Sequence, residues 1–415
     1  MSGENSAAPL KSPFQSRSYC ELWGSNLFSN FGGQIQIVAA GWLMAQLTGS
    51  AQMIALVQTA TYAPIVLFIL AGGALADHGN RRSILLVTQS AMLSIALTLG
   101  IATWAGYIRP WSLLGLIFSA ACFNAFNNPS WQASLRDILP RSLISPGVAL
   151  NSTSINLART VGPALGGMLV NVAGAGAAFV TNALSFLGFL VALLRWHPNP
   201  HAAPEARVRL FPSMLAGLRY VARERHVRSA VLRGGLTGLS ASAVFALMPV
   251  LATQGLHADA RVYGLLLASC GTGAVGCAYA GATLRRRFTP DAVLRISVCA
   301  LMSGLATLGF APHAWIAGVG AALGGAGWTL AHSTYNTSVQ LSAAPQFCGR
   351  SLAAYQTLTF AGLASGSAGL GWIAGHQGVH VAFLVASVAQ GAAGLVAPWL
   401  ALPRLRSVDI EPGAA

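Results

Sequence analysis

The chain predicts an all-α integral membrane protein with twelve transmembrane helices in two pseudo-symmetric six-helix bundles. Three observations carry that expectation: a composition too apolar for water, eight long charge-free runs, and basic residues that fall almost entirely on one side of those runs. Of 415 residues, 54% are hydrophobic and 8% charged, whereas a soluble domain carries about 25% charged residues.

A spanning helix needs about 20 predominantly apolar residues. The runs are Leu22 to Ala76, Ser83 to Ile108, Pro110 to Leu135, Thr160 to Leu194, Gly234 to Ala258, Val262 to Leu284, Ile296 to Gly349 and Ser351 to Pro403. Four of them hold two spans each, divided by the turn-like stretches LTGSAQ near residue 47, VAGAGA near 172, FAPHAW near 310 and AGHQGV near 374. The other four give one span each.

Orientation follows from the basic residues, which collect in short cytoplasmic loops. Of the 24, 21 fall on one side in the predicted topology; the opposite side has Arg109 and Arg261, and Arg159 lies inside a span. Both termini are therefore expected in the cytoplasm, with the first helix as insertion signal and the bacterial inner membrane as the site. The expected organisation is a tail over 1–20, a bundle over 21–195, a linker over 196–229, a second bundle over 230–402 and a tail over 403–415. In the linker, Phe211, Met214, Leu215, Leu218 and Val221 recur at spacings of three and four, which describes an amphipathic helix on the membrane surface or a solvated connecting helix.

The net charge of +14 is spread over many inner segments and not gathered in one stripe, so topology explains it and nucleic acid is not an expected partner. The six cysteines show no paired spacing and read as small apolar residues, so no metal and no cofactor are expected. Nothing in the outer loops gathers into a catalytic group, so an enzyme is not expected.

The stretch GGALADHGNRRS, residues 72 to 83, places Asp77, Arg81 and Arg82 between two apolar runs. Asp77 can cap the start of the third helix and accept charge-assisted bonds from arginines, while Gly73 allows close helix approach. Such a cluster can latch two halves together in one state and release them in another. The stretch resembles the loop between helices 2 and 3 of the major facilitator superfamily. Further matches are WLMAQLTGSA, NNPSWQASLRDILP, VALNSTSINLARTVGPALGGMLV and GWTLAHSTYNTSVQLSAAP, and they place the resemblance in the enterobactin-exporter-like, or transmembrane secretion effector, branch. Helix 5 contains ARTVGPALGGML, with Gly162, Pro163, Gly166 and Gly167 similar to the exporter signature of the superfamily. The alternative reading of these residues is the generic packing of small side chains in any membrane helix.

An arginine near a helix centre costs about 2.5 to 3.5 kcal/mol on insertion scales, so Arg159 is expected either to face a watery cavity and bind an anionic group or to make structural hydrogen bonds. His332 either carries protons or is a neutral hydrogen-bonded side chain. Asn127, Tyr335, Asn336 and Gln340 are candidates for a polar lining. At Gly33 the chain departs from the superfamily, where an acidic residue is common.

The resemblance implies a secondary transporter that works by alternating access and exports a small organic molecule, siderophore-like or drug-like, by proton antiport. Its expected partners are that substrate, protons and membrane lipid, and it is expected as a monomer. The alternatives are an importer of a small metabolite and a transporter-like sensor without flux.

Overall fold

A computed structural model describes residues 12–78, 80–196, 210–344 and 347–396. The described chain is helical, and its elements end where backbone chemistry requires. α1 (Arg17–Leu47) starts at Ser16, whose hydroxyl accepts from the Tyr19 amide. α2 (Ala51–His78) follows a three-residue break at the expected turn, and α3 (Arg81–Trp104) starts at Asn80, whose side chain accepts from the Ser83 amide at 3.1 Å. That position corrects the reading of Asp77 as the cap. Asp77 belongs to the last turn of α2, and Asn80, a strong capping residue, satisfies the orphan amide.

α4 (Pro110–Ile138) opens on a proline, which loses nothing at the first helical position. α5 (Arg141–Arg195) runs for 55 residues but folds back at Gly174, whose φ of 81° is open to glycine and costly for other residues. Its two arms, 141–173 and 175–195, are separate spans. The linker helix α6 (Leu210–Arg223) precedes α7 (Arg225–Ala246), which continues through the short α8 (Met248–Val250) and a π turn over Leu251–Gly255. α9 (Ala260–Arg287) and α10 (Pro290–Gly309) start at Asp259 and Thr289, each accepting a backbone amide. α11 (Ala314–Ser342), α12 (Cys348–Gln377) and α13 (Val379–Val396) complete the chain, with Gly378 at φ 93° turning α12 into α13.

Counting both arms of α5 and taking α7 with its continuation as one, the chain makes twelve spans. Seven helical segments are long and apolar enough to qualify by that measure alone. α1, α4 and α12 carry more polar side chains but reach 31, 29 and 30 residues, which is about 45 Å at 1.5 Å per residue and exceeds the ~30 Å hydrocarbon core.

The helices pack as two similar bundles. In the first, α1 lies against both arms of α5, α2 against α4, and α3 between α4 and α5; in the second, α7 lies against α12, α11 and α13, and α10 against α11 and α13. The bundles meet along two seams, α2 with α12 and α5 with α9.

The apolar core shows how they meet. One large cluster runs continuously through both bundles at the face that holds the Gly174 and Gly378 turns, joining Val38, Ala40 and Phe179 to Val244, Leu251 and Phe383. At the opposite face the clusters are separate: Tyr19, Leu22, Trp131 and Phe189 in the first bundle, Val227, Leu294, Tyr335 and Tyr355 in the second. We call these the sealed face and the open face.

The linker helix packs on protein as well as reading as amphipathic. Val221 is buried in the second bundle, the Ala344 amide donates to the Tyr220 hydroxyl at 2.9 Å, and the Tyr220 ring stacks on Phe347 with centroids 4.5 Å apart. The side chains of Phe211, Met214 and Leu215 lie outside the described residues. α7 begins at Arg225, and Arg233, two turns into it, makes a 3.1 Å ion pair with Asp291 of α10.

A candidate substrate cavity between two seams

Both seams are built from backbone and small side chains. On the α5–α9 seam a Cβ added to Gly264 would lie 2.7 Å from the Gly167 Cα and 2.7 Å from the Pro163 carbonyl oxygen. Two turns further on, the Thr160 hydroxyl is 3.3 Å from the Gly271 carbonyl. The α2–α12 seam repeats the device: the Thr59 hydroxyl donates to the Ala364 carbonyl at 3.0 Å, and Gly371 packs on Ala55. Nearer the sealed face, Gln254 donates to the Gly49 carbonyl at 2.9 Å.

The helix 5 motif therefore faces two ways. Gly162 and Gly166 admit Gln34, Ile35 and Val38 of α1 within one bundle, whereas Gly167 meets the other bundle directly. Pro163 has no amide to give to the carbonyl four residues earlier, which is that of Arg159. That carbonyl instead points at Gly271, where a Cβ would lie 2.9 Å away.

Between the seams, toward the open face, lie Arg159 and His332, two of the residues that the sequence made candidates for substrate contact. Arg159 is exposed near the centre of the first arm of α5, between buried Ala158 and seam-forming Thr160. Its guanidinium acts electrostatically on Tyr62 of α2 and on His332 of α11, one residue from each bundle, so it sits between them. Among the described residues it makes no hydrogen bond or ion pair. Glu21 pairs with Arg17, Asp137 with Arg81 and Asp291 with Arg233, while Asp259 caps α9. The described carboxylates are thus held at helix ends, and none reaches Arg159.

Aromatic rings pack against Tyr62 and His332. Tyr62 stacks on Phe360 of α12 across the seam, with centroids 5.8 Å apart and planes at 29°. The half-buried His332 ring lies 5.4 Å from Trp328 and 5.5 Å from Tyr355, whose hydroxyl donates to the His332 carbonyl at 3.1 Å. Trp328 meets Phe245 edge-on, with centroids 6.2 Å apart.

The remaining candidates divide. Asn336 and Gln340 follow His332 at intervals of four, on the same side of α11, and Gln340 donates to Asn336. Tyr335 does not join them. It is buried inside the second bundle beside Thr237, with the Arg233 guanidinium 5.7 Å from its ring. Asn127 is likewise held inside the first bundle, accepting from Thr88 at 3.0 Å and Gln89 at 3.2 Å. These two placements correct the reading of Tyr335 and Asn127 as cavity lining: each has found polar partners within its own bundle.

At the open face Arg81 pairs with Asp137 at 2.8 Å, and Arg82 donates to the carbonyls of Leu193 and Leu194 at 3.0 and 2.8 Å. Both arginines tie α3 to neighbouring helices of the same bundle, and Arg82 satisfies carbonyls at the end of α5. The surroundings of Gly73 and the side chain of Asp77 lie outside what the structure describes. Among the described residues no cluster of three metal-ligating side chains forms, and the six cysteines are free.

Two helical bundles of six spans that meet along two seams are the architecture of a major facilitator transporter, and such transporters are not enzymes. The chain belongs to the transmembrane secretion effector family of that superfamily, which matches residues 7–415. It is 27% identical to the multidrug efflux pump Tap of Mycobacterium tuberculosis over 409 residues, covering 94% of each chain. It is 26% identical to the enterobactin exporter EntS of Citrobacter koseri, covering 69% of each. Among solved structures, its fold resembles that of a bacterial homologue of the human lysosomal transporter Spinster, with a TM-score of 0.66 at 16% identity over 93% of this chain and 95% of that one.

Proposed function

We propose that this protein exports a small organic molecule with aromatic surface across the bacterial inner membrane by alternating access. The observation that carries the reading is the division of contacts. The described hydrogen bonds and ring contacts that join the bundles run from the sealed face to mid-membrane, while an unpaired Arg159 stands open between them. Twenty-one of the 24 basic residues belong to the open face in the topology read from sequence, which assigns that face to the cytoplasm. The state is then one that loads from inside.

The relatives support the direction, since those cited are named as an efflux pump and an exporter. Chemistry supports the substrate class: Tyr62, Phe360, Trp328 and His332 offer ring faces, and Arg159 offers a charge-assisted donor pair. Proton exchange, the coupling that the family resemblance implies, requires a group from which proton and substrate displace each other. His332 is the imidazole on which the Arg159 charge acts, and it is the candidate for that group.

The test is efflux from cells expressing the protein, preloaded with a fluorescent aromatic sulfonate or with ethidium, then re-energised. Expression should speed the loss of at least one dye severalfold over an empty-vector control. Equal rates for both dyes, with the protein present in the membrane, would sink the export reading.

A further inference from the structure

The first bundle carries a groove that the transport reading leaves unused. It holds about 610 Å³ between α1, which contributes Phe28, Gly32 and Ile35, and the two arms of α5, which contribute Leu165 on the first and Leu184 and Gly188 on the second. Its described lining comes from α1 and α5 alone, and Phe28, Leu165 and Leu184 are exposed, so the groove opens away from the second bundle and toward lipid.

Its depth follows from helix register. Gly32 is the midpoint of α1, and Ser25 and Ile35, the outermost lining residues of that helix, lie within ~10 Å of it at 1.5 Å per residue. On the second arm of α5, Thr181 and Gly188 lie within ~6 Å of its centre at residue 185. The hydrocarbon core extends ~15 Å to either side of the midplane. The groove is therefore surrounded by acyl chains.

Its chemistry matches. The lining includes no charged side chain, and its three hydroxyls already donate within their own helices: Ser25 to the Glu21 carbonyl at 2.7 Å, Thr181 to that of Ala177 at 2.9 Å and Ser185 to that of Asn182 at 2.7 Å. The neighbouring Asn182 amide is committed to Gln36 at 2.6 Å. A polar guest would leave its own groups unpaired here, whereas an alkyl chain has none to satisfy.

The two glycines of the lining differ. A Cβ on Gly32 would collide with Asn182 and Ser185, so packing requires that glycine. A Cβ on Gly188 would meet nothing within 4 Å. Glycine inside a helix is destabilising relative to alanine, and at Gly188 no neighbour demands it. What it provides is room.

We propose that this groove holds an acyl chain of a membrane phospholipid as a fixed part of the first bundle. Three spans flank that chain and give it more dispersion contacts than lipid lying against a single helix receives. Because apolar burial brings no gain within a bilayer, those contacts are what retain it.

The test uses the full chain in proteoliposomes containing a phosphatidylglycerol with a photoactivatable diazirine midway along one acyl chain, extracted into detergent before irradiation and mapped by mass spectrometry. Val388, exposed near the middle of α13, reports ordinary lipid contact at similar depth. Labelling over residues 25–35 and 181–188 should exceed that around Val388 at least fivefold. In Gly188→Phe, whose ring enters the groove, it should fall at least fivefold, while Gly188→Ala should keep most of it.

Equal labelling at the groove and around Val388 overturns the inference, because the lipid there is then only the ordinary surround. So does groove labelling that Gly188→Phe leaves intact. Suppression of the groove label by an excess of either dye of the efflux test overturns it as well, and assigns the groove to cargo.

Discussion

Gly167 and Gly264 meet backbone to backbone across the bundle interface, so closely that a methyl group on Gly264 would lie 2.7 Å from the Gly167 Cα. In lipid, where apolar burial offers no gain over acyl chains, such approach is what lets dispersion and hydrogen bonding hold two bundles together. The neighbouring contact from Thr160 to the Gly271 carbonyl and its counterpart from Thr59 to Ala364 extend the closure along both seams.

Gly264→Ala should therefore weaken the sealed state more than it weakens the fold. Overpacking of this kind costs about 1–3 kcal/mol, or roughly 5- to 150-fold in the ratio of opened to sealed protein. Cys270, buried nearly two turns away on α9, reports it. Labelling by a membrane-impermeant maleimide, localised by mass spectrometry, should rise severalfold in the variant. Unchanged labelling would mean that the seam is not what closes this face.

Asp137→Asn should lower stability by about 1–2 kcal/mol, since the Arg81 pair is partly buried and removing one partner strands the other. The exchanged pair Arg81→Asp with Asp137→Arg should recover much of the loss in thermal unfolding of the detergent-solubilised protein. A double variant no better than the single ones would show that the contact contributes little.

Asp77→Asn should reduce transport at least tenfold while leaving membrane insertion intact, if the loop after α2 latches the bundles in the state opposite to this one. In the present state Arg81 and Arg82 hold partners within the first bundle, as a released latch requires. Wild-type flux in the variant would remove the latch assignment.

Tyr220→Ala should free the linker helix from the second bundle. The lost stack on Phe347 and the lost acceptor for the Ala344 amide together contribute about 1–3 kcal/mol. Limited trypsin digestion should then cut at Arg219 or Arg223 faster than in the wild type. Equal cleavage rates would place the helix on the membrane surface alone.

The spans were legible in the sequence because lipid enforces a simple rule: apolar length, then a break. VAGAGA and AGHQGV marked the turns that Gly174 and Gly378 make, and a 55-residue helical run still resolved into two arms. The facing of polar residues was not legible. Tyr335 and His332 are three apart on one helix, yet one turns inward to Thr237 and Arg233 and the other toward Arg159. Arg81 finds Asp137 across 56 residues of chain, and Tyr62 and Phe360 meet across the interface, pairings that no local pattern encodes. Tyr62 was missed because an aromatic residue in an apolar helix reads as ordinary packing. Asn80 was missed as a cap because the adjacent acidic residue offered a plausible rival.

The two seams are built so that sequence drift is penalised by volume and hardly at all by chemistry. Any side chain at Gly167, Gly264 or Gly271 collides with the partner backbone, whatever its polarity. His332, Asn336 and Gln340 of α11 lie off both seams, carry no such restriction and can be exchanged without touching the closure. Selection on one set of positions can then retune what is carried while the machinery that opens and shuts is inherited unchanged, which gives descendants of such a chain a short mutational path from one cargo to another.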